Sequence, residues 1–177
     1  LGWGGYVHER TTRNGSSASA EGVTDFSLGA KIALSEQSGV VPQLSLIGEV
    51  AIPTGAEFSS DEPVPELKGI WAYEVTDQFG VAGNVNVAFP EEDAERYVEP
   101  AASLAAGLAL TDSVGGYVEY FGFYPSGDAP DSTATHYLNG GFTWSVLADL
   151  QLDTLVGFGL NDAAEDLFCG FGFAYRR

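Results

Sequence analysis

Basic residues, cysteine and methionine are scarce or absent in this chain of 177 residues, and each shortage narrows the range of functions. Seven Lys and Arg oppose 25 Asp and Glu, so the formal net charge is −18 at pH 7. Nucleic acids and anionic lipid surfaces both bind through Lys and Arg side chains, which argues against either as a docking partner. The single cysteine, Cys169, excludes an internal disulfide, and its apolar surroundings indicate a small hydrophobic residue.

Long apolar runs are missing as well. No stretch of about 18 apolar residues occurs, so the sequence predicts no transmembrane helix. No secretory signal peptide is recognisable and the chain begins at Leu1, within a predicted strand, so we expect a mature or trimmed form. Helical periodicity is lacking, and the length fits a single domain, residues 1–177.

The chain is rich instead in alternation of bulky apolar residues with small or polar ones. In residues 79–89, for example, Phe79, Val81 and Phe89 belong to one set, and Gly, Ala and Asn fill the other. Alternation with a period of two, bounded by turn residues, predicts strands with one apolar face. Ten strands are predicted in this way: 1–10, 24–35, 43–53, 67–76, 79–89, 98–110, 114–124, 136–146, 150–160 and 167–175.

The connections between these strands alternate in length. Residues 36–38, 76–78, 111–113 and 148–149 form short connections, and residues 11–22, 54–66, 90–96, 125–135 and 161–166 form long ones. This rhythm predicts an antiparallel up-and-down meander with all short turns at one end and all long loops at the other.

The distribution of charge between the two strand faces indicates the class of protein. The bulky face carries almost no charge, and the other is dominated by Gly, Ala, Ser and Asn. In a soluble barrel the bulky face would point inward and the polar face outward. A soluble lipid-binding β-barrel of that kind is the alternative class. The pattern favours a closed antiparallel up-and-down transmembrane β-barrel of ten strands in the outer membrane of a Gram-negative bacterium. Its long loops would face outward, with both termini in the periplasm.

Several segments resemble members of the phenol-degradation MetA-pathway family of outer-membrane transporters. THYLNGGFTWSVLADLQLDTLVGFGLNDAAEDLFCGFGFAYRR (135–177) resembles the C-terminal part of the family, and its most specific part is LQLD…GFGLN…D.F.GFG. VAIPTGAE (50–57), WAYEVTDQFGVAGNVN (71–86) and VEYFGFYP (118–125) are similar to internal strands, in the same order. The resemblance implies a barrel of about twelve strands, so that two N-terminal strands would be missing here. It also implies contact with outer-membrane lipid, insertion by the barrel-insertion machinery, and transport of small hydrophobic or aromatic compounds. The C-terminal Arg176-Arg177 departs from the usual terminal aromatic residue.

Polar and charged residues of the second face are predicted to line the lumen of this barrel. Charges in a closed lumen must pair or be hydrated, so they form either a plug of cross-strand salt bridges or a narrow cation-preferring path. A barrel of about ten strands is scarcely wider than those that side chains fill, so no wide channel is expected. The predicted lumen-lining residues are His8, Arg10, Lys31, Glu49, Lys68, Glu74, Asn84, Asn86, Glu119, Tyr137, Asn139 and Asp153.

Neither catalysis nor a cofactor is expected. Neither His8 nor His136 is accompanied by a Ser in a Gly-x-Ser-x-Gly turn. The functional alternatives are therefore a narrow transporter and a plugged structural barrel that presents acidic extracellular loops.

The long loops hold many of the acidic residues. No EF-hand spacing occurs, so the sequence identifies no defined metal site. One interpretation of the acidic loops is a solvated surface whose charges repel one another. The other is weak binding of a divalent cation such as Ca²⁺ between loops, or bridging to lipopolysaccharide. The candidate ligands are Asp61, Glu62, Glu91, Glu92 and Asp93, with Asp128 and Asp131 as further participants.

Overall fold

The computed structural model describes residues 2–3, 5–13, 16–92, 95–126, 129 and 132–176. No helix in these residues is long and apolar enough to span a membrane. They contain fourteen strands: β1 Gly2–Trp3, β2 Tyr6–Arg13, β3 Ser16–Val23, β4 Phe26–Ser35, β5 Gln43–Ile52, β6 Val64–Glu74, β7 Phe79–Ala88, β8 Glu91–Glu92, β9 Glu95–Arg96, β10 Glu99–Ala109, β11 Val114–Phe123, β12 Thr135–Ser145, β13 Leu150–Gly159 and β14 Phe168–Tyr175.

Ten of the strands form one antiparallel sheet in the order β1-β4-β5-β6-β7-β10-β11-β12-β13-β14. The remaining four form two inserted hairpins, β2–β3 and β8–β9. Sequence neighbours therefore pair throughout the sheet, as the alternating connections predict. The all-β antiparallel class is confirmed, and nine of the ten predicted strands match strands of the sheet.

The prediction for residues 1–10 is wrong. Only Gly2–Trp3 joins the sheet, beside the first residues of β4, and β2 pairs with β3 as a separate hairpin. The sequence of β2, YVHERTTR, has too few apolar residues to supply a continuous apolar face. Between the paired Arg13 and Ser16 the sequence reads Asn-Gly, the strongest two-residue hairpin signal, in a segment where a loop was predicted.

Two short turns share the sequence Thr-Asp and the same hydrogen bonds. Thr76 Oγ1 accepts from the backbone N–H groups of Gln78 and Phe79, at 3.3 and 3.0 Å. Thr111 Oγ1 likewise accepts from the residues two and three positions later, at 3.2 and 2.9 Å. A hydroxyl that accepts local backbone donors stabilises a tight turn. These turns fix the pairing of β6 with β7 and of β10 with β11.

The register assigns each side chain of the sheet to one of two faces, because directly paired residues point to the same side. Following the pairs across the strands places every charged residue of the sheet on one face, which we call the polar face. They are Lys31, Glu49, Glu66, Lys68, Glu74, Glu99, Glu119 and Asp153. The opposite face, here the apolar face, carries no Asp, Glu, Lys or Arg in any described strand of the sheet.

The apolar face is the exposed one. Val85, Phe142 and Phe171 are 66%, 60% and 73% exposed, whereas Ser45 and Asn139 on the polar face are 5% and 6% exposed. Within the described part of the chain, Ala164 is the only buried hydrophobic residue, so the fold has no ordinary apolar core. The bulky residues of the sequence alternation lie on this face, among them Val81, Val85, Val87, Leu104, Leu108 and Phe142.

The two ends of the sheet have unpaired edges. No ladder among the described residues joins β14 to β1 or β4, and β1 covers only the beginning of β4. Both β4 and β14 are largely exposed along their lengths, unlike the central strands. The described ladders thus form a ten-stranded sheet without a recorded closure.

Candidate functional site on the polar face

The polar face brings together ten of the twelve predicted lumen-lining residues: Lys31, Glu49, Lys68, Glu74, Asn84, Asn86, Glu119, Tyr137, Asn139 and Asp153. The other two, His8 and Arg10, lie outside the sheet, because β2 pairs with β3. In that hairpin His8 Nδ1 is 3.4 Å from Glu21 Oε2, and Arg10 Nη2 donates to Ser17 Oγ at 3.5 Å.

An ion-pair cluster occupies the polar face of β5 and β6. Lys68 Nζ lies 2.7 Å from Glu49 Oε1 and 3.1 Å from Glu66 Oε2. The two glutamates are directly paired across the strands, and their side chains are only 23% and 22% exposed. Like charges directly opposite each other destabilise a sheet, so the shared ammonium offsets their repulsion. This is a cross-strand ion-pair arrangement of the kind predicted for a polar plug.

Neutral polar groups follow in the central strands. Asn84 Nδ2 donates to Ser103 Oγ at 2.8 Å, and Asn139 Nδ2 donates to Glu119 Oε2 at 3.1 Å. Asn86 Oδ1 and Asn139 Oδ1 are buried and have no hydrogen-bond partner. Since buried polar atoms are normally paired, these two acceptors mark positions where the polar face is incomplete.

Four aromatic side chains form a cluster on the polar face at the long-loop end: Phe121, Phe123, Tyr137 and Phe168. The rings of Phe121 and Tyr137 are stacked, with centroids 4.8 Å apart and an angle of 15°. Phe168 meets both rings edge-on, at 6.0 and 5.8 Å, and Phe123 meets them at 5.9 and 6.4 Å. Tyr137 was the only member predicted on this face as a site residue.

A cavity of about 440 Å³ lies at the opposite, short-turn end. Small side chains of the polar face, including Ala72, Ala82 and Ala105, line it together with Glu74 and Tyr117. Large side chains therefore fill the space above the polar face at the aromatic cluster, and small side chains leave a cavity at the short-turn end.

His136 lies on the apolar face, within a second group of rings. Its Nδ1 is 2.7 Å from the hydroxyl of Tyr120, which is 3.1 Å from the hydroxyl of Tyr124. Tyrosine and histidine present an apolar ring and a polar tip, a combination that suits the boundary between lipid and water.

The acidic loops do not assemble a metal site in the described residues, which contain no cluster of three or more candidate ligands. The Glu91 carboxylate is engaged by Arg96 Nη2 at 3.1 Å. Asp93, Asp128 and Asp131 lie outside the described residues.

Asp25 anchors the β5–β6 loop to the beginning of β4. Its Oδ2 accepts from Ser60 Oγ at 2.6 Å and from the Ser60 backbone N–H at 3.2 Å. Burial acts to raise the pKa of this carboxyl, but hydrogen bonds from Ser60, Ser59 and Thr54 outweigh it and hold the pKa below its usual value. Asp25 thus serves the loop rather than the sheet.

Together these features define an antiparallel all-β protein whose single large sheet has one apolar exposed face and one sheltered polar face. The chain belongs to the family described as "Putative MetA-pathway of phenol degradation", whose family model matches residues 4–176. The resemblance noted in the sequence is thereby confirmed. None of the curated proteins matches the chain.

Proposed function

We propose that this protein is an outer-membrane β-barrel that lets small apolar or aromatic compounds pass along its polar face. The observation that carries the proposal is the apolar face, which is exposed and lacks Asp, Glu, Lys and Arg in every described strand of the sheet. Exposed apolar surface of this extent is unfavourable in water but favourable against lipid.

Closure of the sheet into a barrel is part of the proposal. Unpaired backbone groups at a strand edge cost several kcal/mol each in hydrocarbon, so a membrane-embedded sheet needs its edges joined. The free edges of β4 and β14 are the ones that must meet, directly or through further strands. A curved sheet with the polar face inside agrees with the strong burial of Ser45 and Asn139.

A narrow route accounts for the contents of the polar face better than a wide aqueous pore. The ion-pair cluster and the aromatic cluster fill one end, and the cavity of about 440 Å³ is of the size that suits a small molecule. The family description, with its reference to phenol degradation, supports an aromatic substrate.

A plugged structural barrel with acidic extracellular loops is the second candidate. The Glu49–Lys68–Glu66 cluster favours it, because such pairs can stabilise a barrel without any transport. In either case the partners are outer-membrane lipid and, during biogenesis, the barrel-insertion machinery. We propose no catalytic role, because neither His8 nor His136 is accompanied by a Ser in a Gly-x-Ser-x-Gly turn.

Gel migration in detergent tests the barrel. A folded outer-membrane barrel resists mild detergent and migrates differently before and after boiling, and we expect this heat-modifiable behaviour here. A monomer that is fully soluble in plain buffer would contradict the proposal.

Uptake into proteoliposomes separates the two candidates. Vesicles that contain the folded protein should accumulate a small aromatic compound faster than vesicles prepared with boiled protein. Equal rates would leave the structural barrel, and a large stable conductance in planar bilayers would contradict the narrow route.

A further inference from the structure

The most sheltered orphan acceptor on the polar face lies beside the aromatic cluster. Asn139 is 6% exposed, and its Oδ1 is buried without a hydrogen-bond partner. Its Nδ2 donates to Glu119 Oε2, which fixes the amide with the nitrogen toward the carboxylate and leaves the carbonyl oxygen as the unused group. An acceptor held in this way is prepared for a donor that the protein itself does not supply.

The position directly across from Asn139 is a glycine over which an aromatic ring lies. Gly157 in β13 pairs with Asn139 in β12 and with Phe168 in β14. A Cβ added at Gly157 would collide with the Phe168 ring and would lie 2.7 Å from Asn139 Cβ. The absence of a side chain at Gly157 therefore creates a slot that Phe168 fills, next to Asn139.

Phe168 fills this slot from the edge of the described sheet. It is the first residue of β14, and β13 is the only strand with which β14 pairs among the described residues. Its contacts with Phe121 and Tyr137 are edge-on, at 6.0 and 5.8 Å, rather than stacked. A planar ring of similar size could take the same position without disturbing the stacked pair.

We infer that Asn139, Gly157 and the rings of Phe121 and Tyr137 form a binding subsite for a small neutral aromatic ring that carries one hydrogen-bond donor. The ligand ring replaces that of Phe168, and its hydroxyl or amine donates to Asn139 Oδ1. This subsite would define the substrate class of the proposed transport route. Its role in transport rests on the proposed function, but ligand binding to it does not.

The charge beside the subsite selects the protonation state of the ligand. Glu119 lies 3.1 Å from Asn139 Nδ2, so an anionic ligand such as a phenolate or benzoate would meet a like charge in a sheltered site. A purely apolar ring would fit the slot but would leave Asn139 Oδ1 unpaired. The subsite therefore distinguishes a phenol from toluene, which has nearly the same shape.

Ligand binding to purified protein in detergent tests this inference, with phenol and toluene as probes. Phe168→Ala opens the slot, and we expect phenol to bind this variant about tenfold more tightly than toluene, the difference that one net hydrogen bond supplies. Adding Asn139→Leu should bring the two dissociation constants together. Phe171→Ala removes a ring from the same strand on the apolar face and leaves the subsite as in the wild type, so it should bind phenol no more tightly than the wild type does.

Equal binding of phenol and toluene to the Phe168→Ala variant would overturn the inference, as would a preference for phenol that survives Asn139→Leu. If Phe168→Ala does not fold, the affinities for phenol and toluene can be compared in Phe168→Val and in the wild-type protein. Both should prefer phenol but bind it more weakly, because a side chain still occupies part of the slot. Since these measurements need no membrane transport, a failure here leaves the proposed function standing. Conversely, a protein that binds phenol but is soluble without detergent would contradict the barrel and leave the subsite intact.

Discussion

The two faces of the sheet differ in how uniform they are. The apolar face repeats one chemistry along β4 to β7 and β10 to β14, with no Asp, Glu, Lys or Arg side chain in any of these described strands. The polar face changes from an ion-pair cluster on β5 and β6 to asparagine and serine in the middle and aromatic rings on β11, β12 and β14. A single surrounding medium, hydrocarbon, would account for the composition of the apolar face. The composition of the polar face depends instead on specific contacts between side chains of neighbouring strands.

Charge placed on either face is the strongest test of this difference. Val85 is 66% exposed on the apolar face, and its neighbour Asn86 lies on the polar face. In a membrane-embedded barrel, Val85→Arg should lower the free energy of unfolding by about 2–4 kcal/mol. Asn86→Arg should cost less, because its charge can be hydrated or paired. Urea unfolding in lipid vesicles measures both, and the reverse order would mean that the sheet is soluble and turned the other way.

The ion-pair cluster sharpens the comparison within the polar face. Lys68→Met leaves Glu49 and Glu66 directly opposed at sheltered positions, so we expect a loss of about 1–3 kcal/mol in stability. Lys31→Met on the same face is the matched control, because Lys31 is exposed and makes no ion pair in the described part of the structure. Its effect should be within about 0.5 kcal/mol of zero.

A second change separates repulsion from lost packing. Glu66→Gln in the Lys68→Met background removes one of the opposed charges and should restore part of the stability. If the double variant is no more stable than Lys68→Met, the repulsion of the two glutamates is not the cause.

The uniform face was the predictable one. Alternation assigns Val85, Leu104 and Phe142 correctly because a period of two needs only local sequence. It also places Lys68 and Glu119 on the polar face, but their partners depend on register between strands. Prediction of the subsite would require the registers of both β12 with β13 and β13 with β14, since Gly157 lies between Asn139 and Phe168. No local signal in the sequence contains that information.

The errors have physical causes as well. The sequence predicts a strand of the sheet in residues 1–10 because bulky apolar residues alternate there with polar ones such as His8 and Arg10. The Asn-Gly sequence after Arg13 supports a local hairpin instead, and pairing within 18 residues is reached more readily than pairing across the sheet.

A loop at the border of the two faces gives a smaller, pH-dependent effect. The folded pKa of Asp25 is lowered, so its hydrogen bonds to Ser60 stabilise the protein above the unfolded pKa of about 3.9, and this stabilisation is lost as the pH falls through the folded pKa. After allowance for solvent screening, Asp25→Asn should cost about 1 kcal/mol or less at neutral pH. Thermal unfolding of the variant and the wild type should converge as the pH falls through the folded pKa of Asp25; a constant difference would show that ionisation is not involved.

The smallest effect is expected at the short turn between β10 and β11, because this turn lies at the end of the strands and belongs to neither face of the sheet. Thr111 Oγ1 accepts from the backbone N–H groups of Ser113 and Val114, and Thr111→Val removes this acceptor while keeping the shape of the side chain. The loss in stability should be about 0.5–1 kcal/mol, the net value of a partly solvated hydrogen bond. Thr111→Ser keeps the hydroxyl and should unfold at a urea concentration close to that of the wild type. If Thr111→Ser destabilises the protein and Thr111→Val does not, the methyl contact of the threonine, and not its oxygen, holds the turn.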